Sequence, residues 1–434
     1  MTTAAEYYTR KLDNPLTKFL REIPRGGALR DVLMKTPPCP DEEVRAFPLP
    51  DRLTLNTLLA DLHVALPRDI DLAEEVIQLL TKTYHAREPR PSSVAERKKV
   101  ATDLAKSFAQ GSTPKIEATG RALVGPPGSG KTGTLWNVLS TIPQVVPLDT
   151  HTNPLVLSKM VTWVRVEAPS TRKISALVNS LISAILRATG ENYKPLLRGS
   201  IGIQIERLAM LCQEYYVGLI VIDEIQHVLR KNNEPDIELV NFLVELSNAI
   251  NVPLFLVGTP KSEFVVASAL RQARRSFGPR WSPLPRASQS WKLFSSTVCD
   301  YQFTKAVAKY EDLEPSLYDY SQGLPALAVT LFQYAQHAAL LIEDETGEPT
   351  KITPEIIAAV FSEKMSVVKP MVDALRSRDD FLLSLFDDLK VNRKMLRKHL
   401  ERRSRTGEST KTESPITVKV SAGIPPLKWR PDAN

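Results

Sequence analysis

From about residue 101 to 290 the chain alternates two kinds of apolar pattern. Short, nearly unbroken apolar runs occur at RALVG (121–125), VTWVRVEA (161–168), GLIVID (218–223) and VPLFLVGT (252–259). A run without polar alternation predicts a strand buried on both faces. Between these runs, apolar residues recur at helical spacing in KTGTLWNVLSTI (131–142), ISALVNSLISAILRAT (174–189), IQIERLAMLCQEYY (203–216) and ELVNFLVELSNAI (238–250). Strands alternating with helices predict an α/β fold, a parallel sheet flanked by helices.

Either side of this block the pattern changes. Residues 1–100 are proline-rich with short apolar segments; TPPCPDEEVRAFPLPDR (36–52) cannot be one helix and reads as an extended arm, whereas 69–87 has helical spacing behind an Asp start. Residues 291–375 contain helical patterns, among them 325–342 and 353–365, and no buried-strand run, so they predict a smaller, all-helical domain. Residues 376–434 read as a helix and a basic, partly disordered tail. The divisions expected are therefore 1–100, a partner-contacting arm with helices; 101–290, the α/β domain; 291–375, a helical lid; and 376–434. No internal repeat occurs.

Composition adds less. At 434 residues and 43% hydrophobic content the chain can hold roughly two or three domains. Three cysteines, Cys39, Cys212 and Cys299, share no short spacing and suit neither a disulfide frame nor a zinc site. With no apolar run near membrane-span length and no leader-like N-terminus, a cytoplasmic protein without a membrane partner is expected. The net charge of +7 is concentrated: from Val391 to Asn434 there are 11 Lys/Arg and 4 Asp/Glu, so the remainder is neutral. A basic tail on a neutral body suits an acidic partner, nucleic acid or protein, or simple solvation.

The chemistry lies at the strand ends. GPPGSGKT matches the phosphate-loop pattern over Gly125, Pro126, Pro127, Gly128, Ser129, Gly130, Lys131 and Thr132, with Gly133 following. Its glycines let backbone N–H groups turn toward phosphate oxygens, Lys131 adds a cation at the β- and γ-phosphates, and Thr132 offers a hydroxyl to Mg²⁺. ATP and Mg²⁺ are the cofactors expected. About ninety residues on, GLIVIDEIQH ends a buried run in two acids. Asp223 is expected in the Mg²⁺ shell and Glu224 as the group that orients or deprotonates the attacking water. The run 252–259 ends in Thr259, a hydroxyl placed to sense the γ-phosphate. In ALRQARRSFGPRW (269–281), Arg274 or Arg275 suits an arginine finger reaching a neighbouring subunit's nucleotide, with Arg271 and Arg280 in reserve. His227, beside the acids, suits hydrogen bonding or packing, and Trp281 and Trp291 suit lid packing.

Taken in order, these motifs resemble an AAA+ ATPase. More narrowly, the phrases DNPL (13–16), GPPGSGKT, IPQVV (142–146), LIVIDEIQH, VPLFLVGTPK, LRQARRSFG, YSQGLPALAVTLFQYAQ (320–336) and KPMVDALRS (369–377) resemble the TnsC/TniB regulators of transposons that move by a DDE transposase. The resemblance covers about residues 120–377 well and the first hundred thinly. It implies an ATPase that forms a ring or filament of about six or seven subunits per turn on duplex DNA, with hydrolysis regulatory and, from the departure at Ala326, expected to be slow. It further implies that the assembly bridges a target-selecting protein to the transposase in the bacterial cytosol, at the nucleoid. Two departures stand out: Ala326 in GLPALA occupies the place of a lid arginine common in AAA+ proteins, and the C-terminal region is a short basic tail. The family's DNA-contacting elements map onto Thr171, Arg172 and Lys173, onto Lys194 and Arg198, and with less support onto Lys159, as contacts to the phosphate backbone without base readout. The competing readings are an AAA+ helicase loader or DNA-repair ATPase, and a signalling NTPase without DNA binding.

Overall fold

The computed structural model describes residues 14–87, 120–148, 159–191, 199–228, 237–250, 252–263 and 280–377, together with the single positions Thr3, Thr9 and Thr102. Four strands, β1 (Gly120–Val124), β4 (Trp163–Glu167), β5 (Leu219–Asp223) and β6 (Leu254–Gly258), form one parallel sheet in the order β1-β6-β5-β4. The register sets Val124 level with Gly258, and Asp223 level with Glu167. Every residue of β5 and β6 is buried, as expected for strands covered on both faces.

Strand alternation assigns the two faces. Ile220, Ile222, Val164 and Val166 pack on α6 (Ile174–Thr189), α7 (Ile201–Glu214) and α8 (Ile237–Ile250). Leu219, Val221, Phe255 and Val257 pack on α4 (Pro67–His85) and α5 (Lys131–Ser140). The N-terminal region therefore completes one outer layer of the α/β unit through Leu72, Val76, Ile77, Leu80 and Tyr84. Asn14, in the DNPL phrase, closes the far end of α4 by donating from Nδ2 to the carbonyls of Tyr84 (3.1 Å) and Arg87 (2.8 Å).

The strand expected over 161–168 is in fact two. Val161 belongs to β3 (Lys159–Val161), which pairs antiparallel with β2 (Val145–Pro147). Thr162 makes the switch: its N–H donates to Gln144 O at 2.8 Å and its hydroxyl to Pro143 O, taking it out of both ladders.

The extended arm expected at 36–52 is also corrected. Behind α1 (Gly26–Leu33), Glu42–Arg45 and Leu49–Thr57 are helices, α2 and α3. Asp41 caps the first by accepting from Val44 N–H, and Pro50 lies in the first turn of the second, where its missing N–H costs nothing. α3 docks on the helical unit formed by α9 (Gln289–Asp300), α10 (Tyr310–Ser321), α11 (Pro325–Thr346), α12 (Pro354–Lys364) and α13 (Lys369–Ser377). The Arg52 guanidinium, 5% exposed, pairs with Glu343 at 2.7 Å and also donates to Phe303 O. Asn56 accepts from Gln336 Nε2 at 2.8 Å and donates to Gln333 O.

α11 is long and apolar enough to cross a membrane by length and composition, contrary to the expectation that no run reaches that length. Here it forms the centre of the helical unit, with Leu331, Phe332, Ala335 and Gln336 fully buried. Glu343 is buried with Arg52 as its short-range partner, and it also accepts Lys305 N–H and lies 3.9 Å from the Lys305 ammonium, so Arg52→Ala is expected to cost up to about 3 kcal/mol of stability. Thermal or urea unfolding checks this; a loss under 1 kcal/mol, the usual size for an exposed pair, would show the pair to be dispensable.

Candidate functional site

The loop 125–130 leaves the end of β1 and enters α5. Gly128 (φ +77°) and Gly130 (φ +92°) take left-handed conformations that turn successive N–H groups the same way. At Gly125 a side chain is excluded by space, since a Cβ there would lie 2.7 Å from Trp281 O. The Lys131 ammonium is buried and donates to the carbonyls of Gly125 (2.8 Å) and Pro126 (2.9 Å). It lies inside the loop, where a triphosphate would compete for it.

The loop is held from several directions. Gly125 N–H donates to Gly258 O in β6, and Trp281 N–H donates to Val124 O at 2.7 Å. From the helical unit, Ala326 N–H at the start of α11 donates to Gly128 O at 3.1 Å. From α4, Arg68 Nη2 donates to Ser129 O at 2.8 Å while its guanidinium lies 4.3 Å above the Trp281 ring. Burial pulls the Arg68 pKa below its ordinary value, and the neighbouring Asp69 opposes that shift. Trp281 thus packs with the sheet and α4 and not with the helical unit, while Trp291 lies in the core of the helical unit, with Nε1 on Glu314.

The acid pair sits at the C-terminal end of β5, neighbouring the loop across β6. Asp223 is 1% exposed. Its Oδ1 accepts Glu224 N–H at 2.9 Å and its Oδ2 accepts Arg165 Nη2 from β4 at 2.7 Å. Glu224 has φ +54°, a left-handed conformation that costs about 1–3 kcal/mol in a non-glycine residue. Gln226 ties this acid to the next strand: its Nε2 donates to Glu224 Oε2, and its Oε1 accepts Thr259 N–H at 3.2 Å. Among the described residues, the Thr259 and Ser129 hydroxyls are buried without a hydrogen-bond partner. Two donors held in waiting near a phosphate loop fit an anionic ligand. His227 Nδ1 lies 3.2 Å from Ala168 O, the hydrogen-bonding alternative for this residue.

For Mg²⁺, Thr132 in the exposed first turn of α5 and the Asp223 carboxylate are hard oxygen donors of the right kind. Among the described residues no group of three or more His, Cys, Asp or Glu could hold a metal alone, so the ion would have to share its shell with phosphate oxygens and water.

The remaining predicted residues do not converge. Thr171, Arg172 (φ +56°) and Lys173 form the turn into α6. Lys159 donates to Thr189 O at the opposite end of that helix, about 24 Å away along its axis. Arg280 pairs with Glu263. Arg271, Arg274, Arg275, Lys194, Arg198 and the tail beyond Ser377 lie outside the described residues. Sequence reasoning missed Arg165, Gln226 and Arg68. Of these, Arg165 left a trace, a positive charge inside an apolar run.

A family model described as an AAA domain matches residues 118–266, which span the loop, the acid pair and Thr259. The chain carries an AAA domain. The parallel four-stranded sheet flanked by helices, with the phosphate loop at the end of β1, is the AAA+ P-loop fold. None of the curated proteins matches the chain. Among solved structures, it is similar to the Aeropyrum pernix ORC2 protein in ADPNP–ADP complexes, at 14% identity and TM-score 0.36, covering 73% of this chain and 86% of that one. It is also similar to the Aeropyrum pernix ORC1 protein in complex with DNA (15%, TM-score 0.37, 72% and 82%) and to Cdc6p from Pyrobaculum aerophilum (13%, TM-score 0.37, 73% and 86%).

Two substitutions probe the AAA domain. Lys131→Ala removes a charge-assisted donor from the loop and is expected to weaken nucleotide binding about 10- to 100-fold in a fluorescence titration. Unchanged affinity would remove Lys131 from phosphate binding. Thr259→Val deletes a buried hydroxyl that has no partner among the described residues, so the melting temperature should hold or rise while ATP turnover falls about 100-fold. A large drop in melting temperature would instead make that hydroxyl structural.

Proposed function

We propose that the chain is an ATP-dependent regulator of DNA transposition that assembles on duplex target DNA and links a target selector to the transposase. The observation that carries the switching part is the grip on the phosphate loop, held by Arg68 of the N-terminal region, by Ala326 of the helical unit and by Trp281 of the segment joining sheet to helices. Phosphates bound inside that loop act on all three regions at once, which suits a change of shape. In this reading ATP and Mg²⁺ hold the assembled state. Glu224 activates water, Asp223 and Thr132 serve the ion, Thr259 reads the γ-phosphate, and Arg274 or Arg275 reaches a neighbouring subunit's nucleotide.

Hydrolysis is slow and regulatory in this reading, because Ala326 brings only a backbone N–H where a lid arginine would bring a charge. The transposition assignment is supported by the phrases shared with TnsC/TniB proteins. The turn Thr171–Lys173 offers two cations per subunit, whose field sums over a ring or filament around the DNA backbone. The protein then works at the nucleoid in the bacterial cytosol.

Electron microscopy with duplex DNA and a slowly hydrolysed ATP analogue tests this. Rings or filaments are expected only when both are present, and no assembly on DNA would overturn the reading. Glu224→Gln should keep nucleotide affinity, lose turnover about 100-fold or more and stay on DNA longer. Normal turnover in that variant would exclude Glu224 as the group that activates water.

A further inference from the structure

The Arg165–Asp223 pair needs an explanation that packing does not provide. Asp223 has both oxygens engaged, and one of them holds a full positive charge at 2.7 Å. That is the carboxylate expected to serve Mg²⁺. Arg165 is only partly enclosed: its side chain is 20% exposed, and its Nε, like that of Arg52 in the helical unit, is buried with no partner among the described residues. Arg52, 5% exposed, is otherwise a contrast, since it bonds a backbone carbonyl as well as its carboxylate. Arg165 also has a second place to rest. The ring of Trp136, on the phosphate-loop helix and half exposed, lies 5.7 Å from its guanidinium, within range of a cation–π contact.

We propose that Arg165 is the exchangeable counter-ion of Asp223. It neutralises this buried carboxylate when no divalent cation is near and gives the position up as Mg²⁺ arrives with nucleotide. Two cations cannot share one buried carboxylate without repulsion, so Arg165 raises the Mg²⁺ concentration the site requires. The same charge favours phosphates in the absence of metal, where a bare Asp223 would repel them. Arg165 is thus a positioning residue that acts through Asp223, and its effects on nucleotide binding with and without metal have a fixed relation. The inference rests on the nucleotide-site reading above.

The test is binding of trinitrophenyl-ATP to the full chain, titrated with Mg²⁺ and repeated in excess EDTA. For Arg165→Ala, half-saturation by Mg²⁺ is expected to fall about 10-fold, the scale of removing one nearby charge, while affinity in EDTA also falls. A merely structural residue would weaken both. Arg165→Gln, which keeps a donor for Asp223 without charge, carries the same expectation should the alanine variant fold poorly. Arg165→Lys keeps the charge and should stay close to the parent. With Asp223→Asn as background, removing Arg165 should no longer shift the Mg²⁺ requirement. An unchanged or raised Mg²⁺ requirement in both Arg165→Ala and Arg165→Gln, with the parent binding normally, overturns the role of Arg165 alone. A parent that binds no nucleotide overturns the site reading beneath it.

Discussion

A phosphate loop is an unfavourable piece of backbone until something restrains it. Its N–H groups point toward one place, two of its residues are left-handed, and none of this is stabilised by a regular ladder. Here the restraint comes from outside the loop. The sheet holds its start through Gly258, Trp281 closes over Gly125 so tightly that no side chain fits, and Arg68 and Ala326 fasten two loop carbonyls. α4, α11 and the segment at 280–284 all meet at that one loop.

Charge management is the second theme. The site buries Lys131 and Asp223 within one strand-end region, and burying an unpaired charge is prohibitive. Each has a local partner: loop carbonyls for the ammonium, a guanidinium for the carboxylate. Glu224 is handled differently. The backbone, left-handed at that residue, sets the direction of the side chain, and Gln226 links it to the Thr259 amide. The acid at the end of β5 is therefore tied through one side chain to the backbone at the end of β6.

The four strands of the parallel sheet are legible in the sequence because they are covered on both faces, so each falls on an apolar run. The loop, the acid pair and Thr259 are legible because each terminates such a run. The failures have physical causes. Thr162 breaks a continuous apolar run by bonding to residues 143 and 144, a contact no local pattern encodes. Prolines at 36–52 suggest an extended chain, yet Pro50 falls in a first helical turn and Asp41 supplies a cap. Arg165, Arg68 and Gln226 act through partners 58, 61 and 33 residues away, and only the fold brings those together.

The hydrogen bond from Ala326 to Gly128 has one more consequence. It joins a helix of one unit to the phosphate loop of another, and binding equilibria coupled through a shared contact are reciprocal. If nucleotide changes the affinity of the helical unit for a partner by some factor, that partner changes nucleotide affinity by the same factor. A partner of that unit is thus also an effector of the AAA domain, and it needs no access to the phosphates to act as one.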